Sequence, residues 1–408
     1  MKTAHAARTG RRYSLPRAVW ALGIVSLFMD TSSELIHGLL PILLVGTLGA
    51  STFAVGLIEG TAEATAAIVK VFSGSISDWV GRRKPLVLLG YGLAAATKPL
   101  FPLASTVGLV LAAHLVDRAG KGIRGAPRDA LIADVIRAEQ RGAAFGLRQA
   151  LDTVGAVLGP LLAIALMVWL AGDVRAVLWF AVPPAAIAVL VLAFLVAEPE
   201  RHDGAPKMVL PISRMAFGRL PRGYWWIVVV GAVLTLARFS EAFLILRARN
   251  VGVPTAWIPI VFVVMSAVYA SASYPAGLLS DRMNRPDMLR SGVAVLIVAD
   301  LTLAYWPSPL GAMAGAALWG LHMGLTQGLQ SALVADAAPA ELRGTAFGLF
   351  NLVCGAMSLL ASVLAGLLWD RVGPQATFLA GAGFTALALF GMAAYRRPHL
   401  PTAPTRSA

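Results

Sequence analysis

Two stretches of the chain are nearly the same sequence. Residues 130–147 read ALIADVIRAEQRGAAFGL, and residues 332–349, 202 positions later, read ALVADAAPAELRGTAFGL, with 12 of 18 positions identical. A second pattern, which begins at Gly74, recurs from Gly277 at almost the same offset. A charged, glycine-punctuated pattern that recurs in this way predicts an ancestral unit present twice in the chain.

The composition is far more apolar than that of a soluble protein. Of the 408 residues, 58% are hydrophobic and 13% are charged, and the mean hydropathy is +0.73. A soluble domain carries roughly 25% charged residues. Apolar runs of about 20 residues, the length that crosses a bilayer, recur from end to end. They are residues 18–46, 53–77, 85–104, 106–135, 142–170, 174–197, 223–247, 254–279, 288–306, 309–336, 342–369 and 375–395.

These runs predict an all-α integral membrane protein, because a helix satisfies its own backbone hydrogen bonds in lipid. Together with the repeat, they predict twelve transmembrane helices in two pseudo-symmetric six-helix bundles, with a site between the bundles. A polar, basic and proline-punctuated loop separates the sixth run from the seventh. We expect an N-terminal bundle at 1–197, a cytoplasmic loop at 198–222, a C-terminal bundle at 223–397 and a cytoplasmic tail at 398–408.

The basic residues lie mostly on one side of the predicted membrane. Of the 34 lysines and arginines, 22 fall in the N-terminus and alternate loops on one side, and four fall on the other. The positive-inside rule therefore predicts a multi-pass protein of the cell inner membrane with both termini cytoplasmic. The net charge of +13 is a topology signal, so we expect no nucleic-acid partner.

The sequence carries no motif for catalysis, metal binding or cofactor binding. There is one cysteine, Cys354, and no Cys or His cluster has zinc-site spacing. Residues 120–125 read GKGIRG, but no strand precedes this G-x-G-x-x-G, which a dinucleotide site requires. We expect no enzyme, no cofactor, no metal and no obligate protein partner. The expected partners are the lipid bilayer, a small-molecule substrate and protons.

Charged residues inside the runs are the next signal, since each costs roughly 2.5–3.5 kcal/mol on insertion scales. Asp30 and Glu34 lie one helical turn apart in the first run, and Glu59 and Glu63 do so in the second. Paired carboxylates repel each other in a low dielectric, so one of the two tends to keep a proton. We therefore expect these four to couple protons to transport. The alternative is a carboxylate that bonds a neighbouring helix for packing alone.

The fourth run carries a charged stripe within an arc of about 140° on a helical wheel. Its members are His114, Asp117, Arg118, Lys121, Arg124, Arg128 and Asp129. One interpretation is an internal ion-pair network, but the second copy is uncharged at the matching positions, which favours a functional stripe. Basic side chains here favour anionic or zwitterionic cargo. We expect substrate contacts from His37, Lys121, Arg124, Asp152, Arg238, Glu241, Gln327 and Gln330.

The third, sixth, ninth and twelfth runs carry almost no charge, with Lys98 and Asp300 as the exceptions. Charge-poor runs of this kind are typical of helices that face lipid. The first, second, fourth, fifth and seventh runs are instead expected to line a central cavity.

The loop after the second run, GSISDWVGRRK over residues 74–84, resembles the loop signature of the major facilitator superfamily. The second copy, GLLSDRMNR over residues 277–285, lacks the second glycine. The resemblance implies a cytoplasmic gate that holds the two halves together, with arginines bridging to acidic groups on neighbouring helices. The gate residues are Gly74, Asp78, Gly81, Arg82, Arg83, Asp281, Arg285, Glu139 and Glu341.

Two further patterns resemble motifs of the same superfamily. The fifth run contains G-x8-G-x3-G-P, which is similar to the helix motif of its proton-coupled exporters. The motif residues are Gly146, Gly155, Gly159 and Pro160. In the fourth run, Arg118 with Gly122 resembles the arginine motif to which proton transfer is attributed in the family. This resemblance adds Arg118 to the proton-coupling candidates.

These features predict a secondary active transporter that works by alternating access. Our first expectation is a proton-coupled exporter, an antiporter, of a small toxic molecule or metabolite. The alternatives are an importer of an organic anion or metal chelate, and an efflux carrier for a metal or metalloid. A non-transporting receptor is disfavoured, because the sequence offers no sizeable soluble domain.

Overall fold

The computed structural model describes residues 15–80, 82–136, 141–198, 219–280, 285–339 and 342–394. Within these ranges the regular secondary structure is helical, and no strand occurs. The predicted all-α class is therefore confirmed.

The described ranges form twelve long helical segments, some of them with internal breaks. The first six are α1 (Arg17–Thr47), α2 (Thr52–Val80), α3 (Lys84–Leu103), α4 (Val107–Asp134), α5 (Arg141–Trp169) and α6 (Val174–Leu195). The second six are α7 (Arg222–Asn250), α8 (Ile260–Ser280), α9 (Arg285–Tyr305), α10 (Pro309–Ala337), α11 (Arg343–Arg371) and α12 (Pro374–Ala394).

Ten helical stretches are long and apolar enough to cross a membrane, which confirms the prediction of a multi-pass membrane protein. The segments α4 and α10, with 28 and 29 residues, are not among these ten. In α4 the charged stripe lowers the hydropathy, so composition alone does not mark this helix as a span.

The start of α8 differs from the sequence-based expectation. The apolar run begins at residue 254, whereas α8 begins at Ile260. Pro254 and Pro259 lie in between, and proline has no N–H to donate and disfavours the α conformation in the residue before it. The intervening Thr255–Trp257 form a short 3₁₀ turn instead.

The most informative break lies in α7, between Ala237 and Ala242, where the chain contains neither glycine nor proline. The N–H of Ser240 donates to Oγ of Ser362 on α11 at 3.2 Å. The Ser240 Oγ in turn accepts a hydrogen bond from the N–H of Ala242, also at 3.2 Å. Side-chain hydrogen bonds therefore replace part of the helical ladder at this point.

The two copies of the repeat use the same helix pairings. Residues 15–198 are termed the first half, and residues 219–394 the second half. In the first half, α4 packs on α2 and α3, and α3 packs on α6; in the second, α10 packs on α8 and α9, and α9 packs on α12. Glycines permit some of these close contacts: a Cβ at Gly90 of α3 would lie 2.6 Å from the carbonyl O of Gly120 on α4.

The halves meet along α2–α11 and α5–α8. The end of the bundle that holds the start of α1 and the end of α2 is termed the basic face, after Arg82, Arg83 and Lys84; the other end is the opposite face. Near the opposite face, a Cβ at Gly60 of α2 would lie 2.9 Å from Cα of Leu359 on α11. The α2 and α11 backbones therefore touch there.

A carboxylate closes the same seam. Asp370, at the end of α11, accepts hydrogen bonds from the N–H of Thr52 at 3.2 Å and the N–H of Phe53 at 2.8 Å. It also accepts a hydrogen bond from the Thr52 hydroxyl. Because the first N–H groups of a helix lack helical partners and carry partial positive charge, this carboxylate caps α2 from the other half.

We expect Gly60→Ala to lower the midpoint of thermal unfolding of the detergent-solubilised protein. The added methyl group meets the α11 backbone, and overpacking of this kind costs about 1–3 kcal/mol. The control is Gly92→Ala in α3, where a Cβ meets nothing within 4 Å. Equal midpoints for the two variants would contradict the close α2–α11 contact.

We expect Asp370→Ala to destabilise the protein by about 1 kcal/mol, the usual cost of removing a helix cap. Asp370→Asn keeps an acceptor oxygen and should lose less. Thermal unfolding of the wild type and the two variants measures the difference. If Asp370→Ala and Asp370→Asn unfold together with the wild type, the cap contributes nothing.

Candidate functional site

A cavity of about 530 Å³ lies between the halves, in the part of the bundle nearer the basic face. Helices α1, α2, α4 and α5 of the first half supply most of its wall, and the second half adds Ser266, Tyr269 and Asn351. The basic lining residues are Lys70, Lys121, Arg124, Arg128 and Arg148. The acidic lining residues are Asp30, Glu34, Glu63, Asp129 and Asp152.

Some of these charges neutralise each other. Nη1 of Arg148 lies 2.7 Å from Oδ2 of Asp152 on the same face of α5, and Nε of Arg128 lies 3.3 Å from Oδ1 of Asp129. Glu63 is paired with Arg118, which lies behind the cavity wall, at 3.3 Å.

Three basic side chains of the cavity have no carboxylate within ion-pair distance among the residues that the structure describes: Lys70, Lys121 and Arg124. The guanidinium of Arg124 stacks 4.5 Å from the ring centre of Tyr91, which orients it, and its Nη1 is buried without a hydrogen-bond partner. The cavity therefore contains basic groups to which a ligand can bind.

The glycines of the α5 motif bring α5 against two carboxylate-bearing positions of α1. A Cβ at Gly155 would lie 3.1 Å from Cβ of Asp30, and a Cβ at Gly159 would lie 2.8 Å from Cβ of Glu34. Only a residue without a side chain permits this approach. At Gly146, in contrast, a Cβ would meet nothing within 4 Å.

A row of acidic and imidazole groups leads from the cavity into the interior. His37 lies between Glu34 and Glu59, with Nδ1 3.6 Å from Glu34 Oε2 and Nε2 3.4 Å from Glu59 Oε2. The other Glu59 oxygen lies 3.7 Å from Nε2 of His114, and Ser240 donates to Glu59 Oε2 at 3.2 Å. Glu59 and His114 are buried. The row therefore ends at the break in α7, on the second half.

A second buried polar group in the first half is an ion pair. Lys98, at a break in α3, donates to Oδ1 of Asp117 at 2.7 Å and to Oγ of Ser33 at 3.0 Å. Both charged residues are buried. This pair is satisfied within the first half and does not line the cavity.

The structure brings together part of the predicted site. The predicted residues that line the cavity are Asp30, Glu34, Glu63, Lys121, Arg124 and Asp152. His37, Glu59 and Arg118 lie directly behind them. In the described part of the chain, Arg238, Glu241 and Gln330 are not among the lining residues, and the side chain of Gln327 lies outside that part. Pro160 lies inside α5.

Three of the predicted gate residues, Gly74, Arg82 and Arg83, lie among the described residues at the basic face. Gly74 of α2 faces α4, where a Cβ would lie 3.4 Å from Cβ of Ala126. Nε of Arg83 lies 2.7 Å from Oδ2 of Asp134 at the end of α4, and Arg82 is exposed. The remaining gate residues, or their side chains, lie outside the described residues: Asp78, Gly81, Asp281, Arg285, Glu139 and Glu341.

Several residues that line the cavity are not among the substrate-contact and proton-coupling residues predicted from the sequence. Lys70, Arg128 and Arg148 were detectable, since each is an ionised side chain inside an apolar run. Tyr269 and Asn351 carry no such signal, because ordinary polar residues of a helix reveal nothing about which neighbour they face.

Comparisons with known proteins agree with this architecture. The family model of the Major Facilitator Superfamily matches residues 22–361 and 242–408. An uncharacterized MFS-type transporter of Methanocaldococcus jannaschii is 34% identical over 379 residues, which cover 90% of this chain and 92% of that protein. The multidrug resistance protein MdtH of Escherichia coli is 32% identical over 124 residues, 30% of this chain and 31% of that protein.

A solved structure shares the fold over nearly its whole length. The crystal structure of the nucleoside transporter NupG superposes with a TM-score of 0.75 at 15% sequence identity, covering 93% of this chain and 100% of that one. The family match spans most of the chain and the helical bundle agrees with it, so the chain belongs to the major facilitator superfamily, whose members are membrane transporters and not enzymes.

Proposed function

We propose that this chain exchanges protons for a small anionic or zwitterionic solute, with export as the direction. The observation that carries the proposal is one cavity in which basic groups without carboxylate partners lie beside a row of acidic and imidazole groups. The first feature suits cargo with a negative charge, and the second suits proton movement.

We infer twelve membrane spans in two six-helix bundles, residues 1–197 and 223–397, joined by a cytoplasmic loop at 198–222 and followed by a cytoplasmic tail at 398–408. The ten apolar stretches support this count. The 28 residues of α4 reach about 42 Å at 1.5 Å per residue, more than the roughly 30 Å of a bilayer core. The charges of α4 face protein and cavity, which makes its low hydropathy compatible with a span.

The charge distribution supports a cytoplasmic basic face in the cell inner membrane. In this arrangement the cavity lies on the cytoplasmic side, and the α2–α11 seam with Asp370 closes the opposite side. Alternating access then requires the seam to open while the basic face closes. We propose that the segment at the end of α2 with Gly74, Arg82 and Arg83 closes it, and Arg83 lies 2.7 Å from Asp134 at the end of α4.

Lys70, Lys121 and Arg124 are the groups that we propose for cargo binding. A hydrogen bond to a charged group contributes about 1.5–3 kcal/mol, and basic groups in a partly enclosed cavity raise the local concentration of anions. Asp30, which lines the same cavity, provides a carboxylate for an ion pair with the ammonium group of a zwitterion.

The proton path that we propose runs from Glu34 through His37 to Glu59 and His114. Chains of Asp, Glu and His inside a membrane are typical of proton relays. Because Ser240 of α7 binds Glu59, a change in the charge of Glu59 alters a contact between the two halves. This contact gives the proton a means to bias the helix movement.

Export is favoured because the α5 motif resembles that of proton-coupled exporters. Its Gly155 and Gly159 bring α5 directly against the positions of Asp30 and Glu34. The partial match to a multidrug resistance protein points the same way. Import of an organic anion is the second candidate, because the basic lining serves either direction. The described residues contain no group of three or more His, Cys, Asp or Glu placed to hold a metal ion, so the geometry gives metal efflux no support.

The test uses inverted membrane vesicles that contain the protein and a pH-sensitive dye. Organic anions, zwitterions, cationic drugs and metal salts are added in turn to vesicles with a proton gradient. Proton release triggered by an anion or zwitterion is the expected result. If no class triggers release, while intact cells accumulate a labelled organic anion, export is wrong and import replaces it.

We expect Glu59→Gln to lower substrate-driven proton release while substrate exchange across the membrane persists. The amide keeps the shape and a hydrogen-bond acceptor for Ser240 but cannot gain or lose the proton. The matched control is Asp287→Asn, an acid-to-amide change at an exposed position of α9. Full proton release by Glu59→Gln would remove Glu59 from the coupling path.

We expect Arg124→Gln to raise the KM of the anionic substrate found in the vesicle assay by about tenfold to a hundredfold, the equivalent of one charge-assisted hydrogen bond. A neutral or cationic substrate should not show this effect. Arg290→Gln, on α9 outside the cavity lining, where Arg290 pairs with Asp287, is the control. An unchanged KM in Arg124→Gln would contradict anion binding at this side chain.

A further inference from the structure

Asp300 of α9 is buried in the second half, and no residue that the structure describes pairs with it. Its side chain is 0% exposed, and neither carboxylate oxygen has a hydrogen-bond partner among the described residues. An ionised carboxylate in such a place is costly unless it is paired. Asp300 contributes neither to the cavity lining nor to the proton path described above.

The repeat identifies the first-half position that corresponds to Asp300. Thr106 caps α4 and Ser308 caps α10, 202 residues later. The same offset relates packing contacts: a Cβ at Gly90 would meet Arg124, and one at Gly292 would meet Thr326. The position of Asp300 is therefore that of a first-half residue with the same surroundings.

That first-half residue is Lys98, whose partner is Asp117 at 2.7 Å. At the offset of 202, Asp300 replaces Lys98 and Trp319 replaces Asp117. The second half therefore has a buried acid where the first half has a buried base, and an indole where the counter-ion stood. Where the first half has an ion pair, the second half has one carboxylate with no counter-ion among the described residues.

The surroundings of Asp300 are apolar. A Cβ at Gly381 of α12 would lie 2.8 Å from Oδ2 of Asp300 and 3.1 Å from Cε1 of Phe239. The Phe239 ring lies 5.4 Å from the ring of Trp319 and 5.6 Å from that of Phe378. This packing leaves little space for a hydrated cation, whereas a proton needs none.

The charged groups of the neighbouring helices do not pair with Asp300 within the described residues. On α10, His322 holds the carbonyl O of Gly292 through Nδ1 at 2.7 Å. On α7, Arg247 lies 3.5 Å from the carbonyl O of Ala304, one turn along α9 from Asp300. The α12 segment has no charged residue. The other ionisable residues of these elements are Arg222, Tyr224, Arg238, Glu241, Arg249, Arg285, Asp287, Arg290, Tyr305 and Asp336.

We propose that Asp300 is a second proton-binding site, linked to Glu59 through the break in α7. Two adjacent residues of this break lie next to the two carboxylates: Phe239 packs beside Asp300, and Ser240 donates a hydrogen bond to Glu59. Binding a proton converts the Asp300 carboxylate to a neutral acid that the aromatic pocket accepts. Releasing it creates a buried charge, which favours movement of α7 and admission of water. The inference rests on proton coupling as the proposed function.

The first test is infrared difference spectroscopy of the purified full-length protein in liposomes, across a pH step. A protonated carboxylic acid has a carbonyl band that an ionised one lacks. We expect Asp300→Asn to remove one such band, and the exposed Asp287→Asn to leave all of them. A band pattern unchanged by Asp300→Asn would overturn the proposal. A band that responds to sodium instead of pH would assign a sodium site and overturn it as well.

The second test counts protons per substrate in the vesicle assay. Asp300→Asn should still transport substrate but release one proton fewer per substrate than the wild type. An unchanged ratio, with the fold intact, contradicts a transported proton at Asp300. If the wild type moves no protons at all, the proposed function fails, while the infrared bands still decide whether Asp300 binds a proton.

A further variant keeps the proposal testable if Asp300→Asn does not fold. The double change Asp300→Lys with Trp319→Asp rebuilds the ion pair of the first half and removes the unpaired acid. We expect this protein to fold and to lose the same carbonyl band. Retention of the band in the folded double variant would show that it belongs to another residue, against the proposal.

Discussion

Charged side chains that lie within a bilayer must find their partners inside the protein, because lipid offers none. This constraint organises the first half. Arg148 binds Asp152, Lys98 binds Asp117, and the two oxygens of Glu59 face two imidazoles. The groups that lack such partners among the described residues are informative. They are basic groups in the cavity and Asp300 in the second half. These groups are the ones that we propose for the binding of cargo and protons.

The repeat supplies a symmetric scaffold, and the chemistry on it is asymmetric. The two halves share helix pairings, caps and glycine contacts at one offset, so the duplication preserved what holds helices together. The cavity wall comes mostly from the first half. The second half contributes the broken helix α7, whose Ser240 bonds a first-half carboxylate. The charged groups of the cavity therefore belong to the first half, and the broken helix of the second half contacts the row of groups behind them.

The apolar runs predicted nearly every helix, because length and hydropathy are what a bilayer requires. The start of α8 differed, since the apolar residues around Pro254 and Pro259 keep the run hydrophobic although the two prolines disfavour a helix there. The site was predicted in part. Asp30, Glu34 and Lys121 follow from charge within apolar runs, but the Glu34–His37–Glu59–His114 row joins three helices, and spacing along one chain cannot show it. The break in α7 contains neither glycine nor proline and depends on Ser362, more than a hundred residues later.

The ion pairs described around the cavity each join two residues of the same half. A rocking motion of one half against the other therefore leaves these pairs intact and separates instead a glycine seam, one helix cap and one serine–glutamate hydrogen bond. The glycine seam carries no charge and the Glu59 carboxylate that binds Ser240 is buried, so dissolved salt screens these contacts little, whereas it does screen the exposed cap by Asp370. Ionic strength should consequently change the rate of reorientation less than it changes the affinity for cargo.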